Sequence, residues 1–518
     1  MKRPAGENDV LSDIVDRAVQ HPGDLAIQDA ERELSYAQLA DEVERLAGDL
    51  HVQGVKEGDR VALLMANSAD FVVGALATLW VGAIFVPLAP TDPPARVADI
   101  VEDCAPALIL TSKRQDVSMD ASIGVRARSI EELSALGDGH HAPRANADAA
   151  YMIYTSGTTG TPKGVLVSNA AFARALRPII DSAEIDRSTR TLCVSPFHFD
   201  GSYGNLFATL VVGGSLFIRS RDSLLFPRVF FNTVASERVT FSSFTPSYLR
   251  VLLSSSQFSD LYHSTLRTIA LGGEAITMAD LRELWRQAPS LRVINRYGPT
   301  ETTIAVTNHE LTPDILEAGV VPIGRPNPGV VFVMIGSDGS IIEDSGVPGE
   351  LFIGGAQLME GYWGNAELTD SVMRDDVIAG ERFYRSGDLV YRATDGTYVY
   401  MDRLDRVLKR SGVRISLVEL NAVLSQLPEV IAAACVTFDD EGTLGIAAFV
   451  TAPPGVTPTD VRRAAASRIP LTMLPDRFEI VSALPLNRSN QLDEVALRAS
   501  VGLAPYRPQP ECGGTAAP

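Results

Sequence analysis

Tyr154–Val165 reads YTSGTTGTPKGV: a strand-like entry, then a loop of glycines, hydroxyls and one lysine. Glycines at 157, 160 and 164 let backbone N–H groups approach an anion closely. The Ser and Thr hydroxyls and Lys163 add donors and positive charge, so the loop is read as a phosphate cradle. It is not a Walker A loop, because the GxxxxGK[ST] spacing is absent.

The surrounding chain supports a strand-to-loop reading. Runs such as RVALLMA, ALILTS, TLCVSPF, SLFIRS, VTFSSF and RTIALGG have strand length and apolar character. Amphipathic segments separate them, among them YAQLADEVERLAGDL with Leu39, Val43, Leu46 and Leu50 on one stripe. This alternation predicts an α/β architecture of helix-covered sheets. After about Gly329 the strands become short and turn-rich (GELFIGG, GTYVYMD), as in a β subdomain. The pattern restarts near Arg403 with a compact α+β unit. There Thr457 suits a helix N-cap and Pro458 the first helical position. The expected division is an N-terminal domain over 1–402, a C-terminal domain over 403–500 and a disordered Pro/Gly-rich tail over 501–518.

A chain of 518 residues is too long for one ordinary core, and 46% hydrophobic with 21% charged residues is globular composition. The 45 basic and 64 acidic residues leave a formal charge of −19, which disfavours nucleic acid as a partner. Cys104, Cys193, Cys435 and Cys512 form no CxxC pair, so neither a zinc site nor a disulfide framework is suggested. The N-terminus MKRPAGENDVLSDIV has no apolar core of the secretory type, and a reducing cytoplasm is the expected setting. FVVGALATLWVGAIFVPLAP, Phe71–Pro90, is long enough to span a bilayer. Gly82 as a helix stop, with Pro87 and Pro90 beyond it, predicts a buried helix and a buried strand instead, and no membrane association.

The loop closely resembles that of the adenylate-forming superfamily: acyl-CoA synthetases, luciferases and nonribosomal peptide adenylation domains. LSYAQL (Leu34–Leu39), the VGAIFVPLAP run, NRYGPTETT (Asn295–Thr303), GELFIGG (Gly349–Gly355), YRSGDLV (Tyr384–Val390) and DRLDRVLKRSGVRI (Asp402–Ile415) follow in that family's order, closest to its peptide-synthetase branch. The resemblance implies an ATP- and Mg²⁺-dependent ligase that joins a carboxylic acid to AMP and then to an acceptor. It implies that Thr155, Ser156, Gly157, Thr158, Thr159, Gly160 and Lys163 hold phosphates and that Tyr297 and Gly298, with Gly272, Gly273 and Glu274, frame the adenine. Asp388 would accept the ribose hydroxyls, with Arg403 nearby; Thr300 would contact the α-phosphate and Glu301 hold Mg²⁺. Asp405 corresponds to the hinge of a mobile C-terminal lid, which would turn to bring the segment around Lys409 to the acceptor.

For the acid, SPFHFDGSYGNLF (Ser195–Phe207) matches the family's acid-binding helix. Phe199 would gate the pocket and Asp200 would pair with a substrate amine. Gly201, Gly204, Ser243, Ile269, Leu271, Arg296, Ile304 and Ala305 would line it. Two glycines predict room, and Arg296 offers a partner for a second carboxylate or another acceptor oxygen. The candidates are an acidic amino acid, or a bulky aryl acid whose amine co-substrate meets Asp200. Alternatively, Asp200 and Arg296 simply pair with each other.

One position departs from the pattern. LPLNRSNQLDE matches the family's C-terminal turn, but Gln491 stands where a lysine bridges carboxylate and α-phosphate. Losing one such donor costs roughly 10²–10³ in rate. Lys409 or Arg488 could compensate in part. The remaining chain is too short for a carrier domain, so a free-standing enzyme is expected, with a separate carrier protein, coenzyme A or a free amine as acceptor. An amide synthetase and a nucleotide-binding protein without turnover are the alternatives.

Overall fold

The computed structural model describes residues 9–112, 125–136, 142, 144–145, 148–155, 162–404, 407–410, 413–440, 443–485, 492 and 494–504. Contacts divide the chain into two compact units. The first comprises Met1–Pro90, Asp103–Ile153 and Gly164–Met401; the second comprises Thr91–Glu102, Tyr154–Lys163 and Asp402–Pro518.

Local signals explain where the elements begin. The helix Tyr36–Val52 opens on a capping box in which Ser35 and Gln38 exchange side-chain and backbone bonds. Its apolar stripe, Leu39, Val43, Leu46 and Leu50, is buried as the periodicity requires. The uncharged run from Phe71 resolves into the helix Ala69–Trp80 and the strand Ile84–Leu88, with Gly82 between them at φ +73°. Both elements lie inside the protein, which accounts for apolar residues on every face. No helix among the described residues is long and apolar enough to cross a membrane.

Three sheets build the first unit. The seven-stranded sheet runs in the order Gly361–Tyr362, Lys163–Ser168, Ala149–Thr155, Ile84–Leu88, Arg60–Leu64, Leu108–Thr111, Ala127–Ser129. The eight-stranded sheet is ordered Thr307–Leu311, Arg292–Tyr297, Thr268–Gly272, Phe241–Phe244, Arg190–Cys193, Ser215–Ile218, Leu25–Gln28, Glu33–Ser35. Its central strands are parallel, and the outermost pair at each edge is antiparallel. An antiparallel sheet built on Val330–Ile335, Gly349–Gly355 and Phe383–Arg392 follows, where the turn-rich pattern predicts a β subdomain.

The second unit contains the hairpin Val407–Arg410/Val413–Ser416 and the helix Leu417–Ser425. Beside these lies a three-stranded sheet of Ala432–Asp440, Thr443–Thr451 and Arg477–Ile480. Helix Pro458–Ala466 starts on Thr457, whose hydroxyl accepts from Asp460 N–H, with Pro458 in the first turn. Residues 501–504, expected to belong to a disordered tail, are instead ordered against the second unit's core. Leu503 packs with Phe438, Phe449 and Leu497, and Asp439 N–H donates to Ala504 O (3.0 Å). An apolar side chain within reach of a core outweighs a Gly/Pro-rich neighbourhood. Residues 505–518 lie outside the described residues.

LSYAQL also has a structural task. The Tyr36 hydroxyl, fully buried, lies 2.8 Å from Gly214 O and 3.1 Å from Leu210 O, at the C-terminal end of the helix Tyr203–Val212. Tyr36→Phe is expected to lower unfolding free energy by about 1 kcal/mol in a denaturant titration, because two buried carbonyls lose a shared donor.

Candidate active site

The strand Arg292–Tyr297 delivers the chain to the carboxyl end of the parallel sheet, where open α/β sheets bind ligands. A 3₁₀ turn, Thr300–Thr302, follows, and then Thr303 and Ile304 at φ +58° and +66°. Two consecutive β-branched residues in this region cost about 1–3 kcal/mol each, and persist only when their surroundings over-determine them. The determinants are visible. Ala305 N–H donates back to Thr303 O (2.8 Å), and Val306 N–H to Tyr297 O (2.8 Å). Gln357 Nε2 and Asn327 Nδ2 both donate to Ala305 O (2.9 Å each), while Thr303 Oγ1 donates to Gln357 O (2.7 Å). Gly298 permits the approach: a Cβ there would lie 2.7 Å from Ala305 Cα.

The strained turn faces Asp200, which opens the 3₁₀ turn leading into the helix Tyr203–Val212. Ile304 N–H donates to Asp200 Oδ2 (3.3 Å) and Thr300 Oγ1 to Oδ1 (3.4 Å). Burial pushes the Asp200 carboxyl up to about 6; the Ile304 hydrogen bond opposes the shift and the Glu301 charge adds to it. The Tyr151 and Tyr203 hydroxyls, buried without hydrogen-bond partners among the described residues, are pushed upward first by burial and then by the Asp200 charge. Phe199 stands just before the turn, its ring 4.4 Å from that of His198.

Arg296 borders the same turn but does not pair with Asp200. Its Nη1 donates to Asn205 Oδ1 (2.9 Å) and its Nε to Asn308 Oδ1 (3.1 Å). The guanidinium carbon sits 5.5 Å from the centre of the Phe241 ring.

Two expectations for the pocket need correction. At Gly204 the expected room is absent, because a Cβ would meet Ile179 Cδ1 at 2.9 Å and Ile304 Cγ2 at 3.1 Å. Of the two glycines, only Gly201 opens onto free space. Ile269 and Leu271, expected in the lining, pack with Val293, Leu281 and Leu284. Strand alternation explains this: the register Ser243↔Ala270↔Ile294, with Gly272↔Arg296, puts Ser243, Ala270 and Arg296 on the opposite face. Ala270 clusters with Ile304 and Ala305 there.

Beyond the turn, the Tyr297 hydroxyl donates to Asp388 Oδ2, joining the two residues expected around adenine and ribose. Asp388 N–H is held by Ser386 Oγ (3.0 Å). Gly272 and Gly273 end the neighbouring strand, Gly273 at φ +82°. Glu274 Oε2 accepts from Ser247 N–H and Oγ (2.8 and 2.6 Å) at the first turn of the helix Pro246–Leu253, so part of its accepting capacity is committed to the scaffold. Glu301 is fully buried and accepts from Tyr362 Oη (2.8 Å). It fits Mg²⁺ as a single hard-oxygen ligand. Among the described residues no group of three His, Cys, Asp or Glu forms a protein-only site, so phosphate and water oxygens would complete the shell.

In the phosphate loop, Thr155 ends one strand and Lys163 begins the next, while Ser156, Gly157, Thr158, Thr159 and Gly160 lie outside the described residues. Arg403 closes the strand Tyr398–Arg403, and the Lys409 backbone pairs opposite Arg414 in its hairpin. Asp405, Arg488 and Gln491 lie outside the described residues.

Residues 14–363 match the AMP-binding enzyme family, and residues 419–491 match the AMP-binding enzyme C-terminal domain. This chain is an adenylate-forming AMP-binding enzyme. It is 31% identical over 490 residues to tyrocidine synthase 1 of Brevibacillus parabrevis, covering 93% of the chain and 44% of that protein. It spans less than half the length of the curated peptide synthetases it matches. PA1221, an NRPS protein containing adenylation and PCP domains, superposes with a TM-score of 0.84 at 25% identity, over 95% of this chain and 84% of that one. Amide bond synthetase McbA from Marinactinospora thermotolerans shares the fold, with a TM-score of 0.85 at 23% identity over 95% and 100% of the two chains.

Within this adenylate-forming enzyme, sequence reading missed Asn205, Asn308, Asn327, Gln357 and Tyr362. Gln357 stands two residues beyond GELFIGG, and nothing local distinguishes it from an exposed glutamine; its work lies in contacts about fifty residues away in the chain.

The geometry has consequences for pH dependence and for substrate affinity. Ionised Asp200 costs folding free energy as pH rises from 3.8 through about 6, yet only the ionised form can pair with an ammonium group. For an amino acid substrate, kcat/KM is therefore expected to rise about tenfold per pH unit up to pH ~6 and then level. Asp200→Asn should flatten that profile and make the protein more resistant to denaturant at pH 7–8. Gln357→Leu, which keeps volume but removes the donor holding Ala305 O, should raise the acid KM by about tenfold or more. The ATP KM should stay within about twofold in steady-state assays, since the nucleotide groups are held by other bonds.

Proposed function

We propose that this enzyme activates a small, amine-bearing carboxylic acid with ATP and passes the acyl group to an acceptor nucleophile. The observation carrying the reading is the cluster at one strand end. The turn Thr300–Thr302 and the two residues after it supply the Thr300 hydroxyl and the Ile304 N–H to Asp200, and carry the Glu301 carboxylate. Asp200 receives the substrate amine and so fixes which way the acid points. The reacting carboxylate oxygen forms a bond to the α-phosphorus of ATP, and the bond from that phosphorus to the β-phosphate oxygen breaks, releasing pyrophosphate. Lys163 donates to phosphate oxygens, Thr300 contacts the α-phosphate, Tyr297 and Asp388 hold adenine and ribose, and Arg403 lies beside them. Mg²⁺ on Glu301 would neutralise phosphate charge.

The acceptor is a carrier-protein thiol, a reading supported by the peptide synthetases among the relatives and by the PCP domain of PA1221. The thiol loses its proton, its sulfur bonds the acyl carbon, and AMP departs. Rotation of the C-terminal domain about Asp405 separates the two steps and brings Lys409 to the second. The setting is production of a peptide-type secondary metabolite.

A second reading rests on Gln491, which cannot supply the charge of the family's lysine. A slowed first step is tolerable if a free amine consumes the acyl adenylate at once, giving an amide.

Acid-dependent pyrophosphate release, measured over a panel of amino and aryl acids, should single out one acid. Mass spectrometry with amines alone, or with a carrier protein, then separates amide from thioester product. Gln491→Lys is expected to raise adenylation by about 10²-fold or more. Nucleotide binding with no release from any acid, and no gain from that substitution, would instead mark a nucleotide-binding protein without turnover.

A further inference from the structure

Arg296 is a buried cation without a counter-ion among the described residues. Elsewhere in this unit Arg250 meets the Asp280 carboxylate and Arg292 that of Glu310. Arg296 is 8% exposed and its two hydrogen bonds go to neutral amide oxygens, those of Asn205 and Asn308. Its Nη2 is buried and has no partner among the described residues. Burial pushes the guanidinium down to about 9, so it keeps its charge at neutral pH. A buried, unpaired charge is among the more costly features a fold can carry, and a guanidinium fork with one free arm is shaped for a carboxylate.

The arm is held in place. Asn308 Nδ2 donates to Asn327 Oδ1 (3.1 Å), which turns the Asn308 carbonyl toward Arg296. Asn327 also donates to Ala305 O, beside the turn that presents Ile304 N–H to Asp200. Arg296 Nη1 lies 3.7 Å from where a Cβ on Gly204 would stand, and Ile304 Cγ2 lies 3.1 Å from the same point. Asp200 and Gly204 are one helical turn apart in sequence. The anion and the uncompensated cation therefore flank the Ile304 turn and the start of one helix without a bond between them.

We propose that Arg296 is the recognition site for a second carboxylate on the substrate, which makes the acid an amino dicarboxylic acid of the aspartate, glutamate or 2-aminoadipate type. This rests on the acid-activating role proposed above. The ammonium group lies on Asp200, the distal carboxylate takes Nη2, and the remaining carboxylate is left to react. An apolar side chain of equal size would bury Nη2 with its hydrogen bonds unmade, and an amide would offer it an acceptor but leave the buried charge uncompensated, so both are rejected for that reason rather than by a clash.

The test compares L-aspartate, L-glutamate and L-2-aminoadipate with L-asparagine, L-glutamine and L-norleucine in acid-dependent pyrophosphate release by the wild-type protein. One dicarboxylate should exceed its neutral counterpart by at least about a hundredfold in kcat/KM. Arg296→Gln should abolish that preference while leaving the KM for ATP within about twofold. Equal activation of neutral and dicarboxylic amino acids by the wild type overturns the inference, whatever becomes of the variant. If no acid supports release, the ligase reading fails, and calorimetric binding of the same six compounds decides the inference separately. Dicarboxylate-selective binding lost in Arg296→Gln supports it, and its absence overturns it.

Discussion

A backbone turn that L-amino acids avoid, through Thr303 and Ile304, is the constraint on which the acid site depends. Its left-handed conformation aims the Ile304 N–H at Asp200 and buries the Ile304 side chain against Gly204. Nothing in those two residues favours it; both are β-branched and both resist it. The conformation is imposed by Gln357, Asn327 and the missing side chain of Gly298. Strain placed beside a binding group in this way fixes the group before ligand arrives, which is how local cost becomes preorganisation.

The same network carries two charges out of water. Asp200 is poised by burial, and Arg296 is oriented by amides that cannot neutralise it. Each ion alone would favour unfolding, and their failure to pair removes the ordinary compensation. Such an arrangement costs stability, the usual direction of compromise at functional positions.

Much of this was legible in the sequence where the signal is local. Helix Tyr36–Val52, the buried helix and strand within Phe71–Pro90, and the Thr457–Pro458 helix start follow from periodicity, punctuation and capping. The strand-end constellation was legible through its ordered motifs. What escaped depends on neighbours distant in the chain. Gly204 is filled by Ile179, Leu503 finds a core in the second unit, and Ile269 and Leu271 are turned away by sheet parity. Whether Arg296 pairs with Asp200 was undecidable from composition, because the answer lies in the rotamers of two asparagines.

Helix Tyr203–Val212 is anchored at both ends. Its N-terminal end continues the turn that carries Asp200, and the carbonyls at its far end are gripped by the Tyr36 hydroxyl. Ten residues of helix make a rod about 15 Å long. The depth of Asp200 is thereby gauged from the opposite end of that rod, by a phenol on an N-terminal helix with no part in the chemistry. A misfit at Tyr36 would bear on the placement of the helix whose other end carries Asp200.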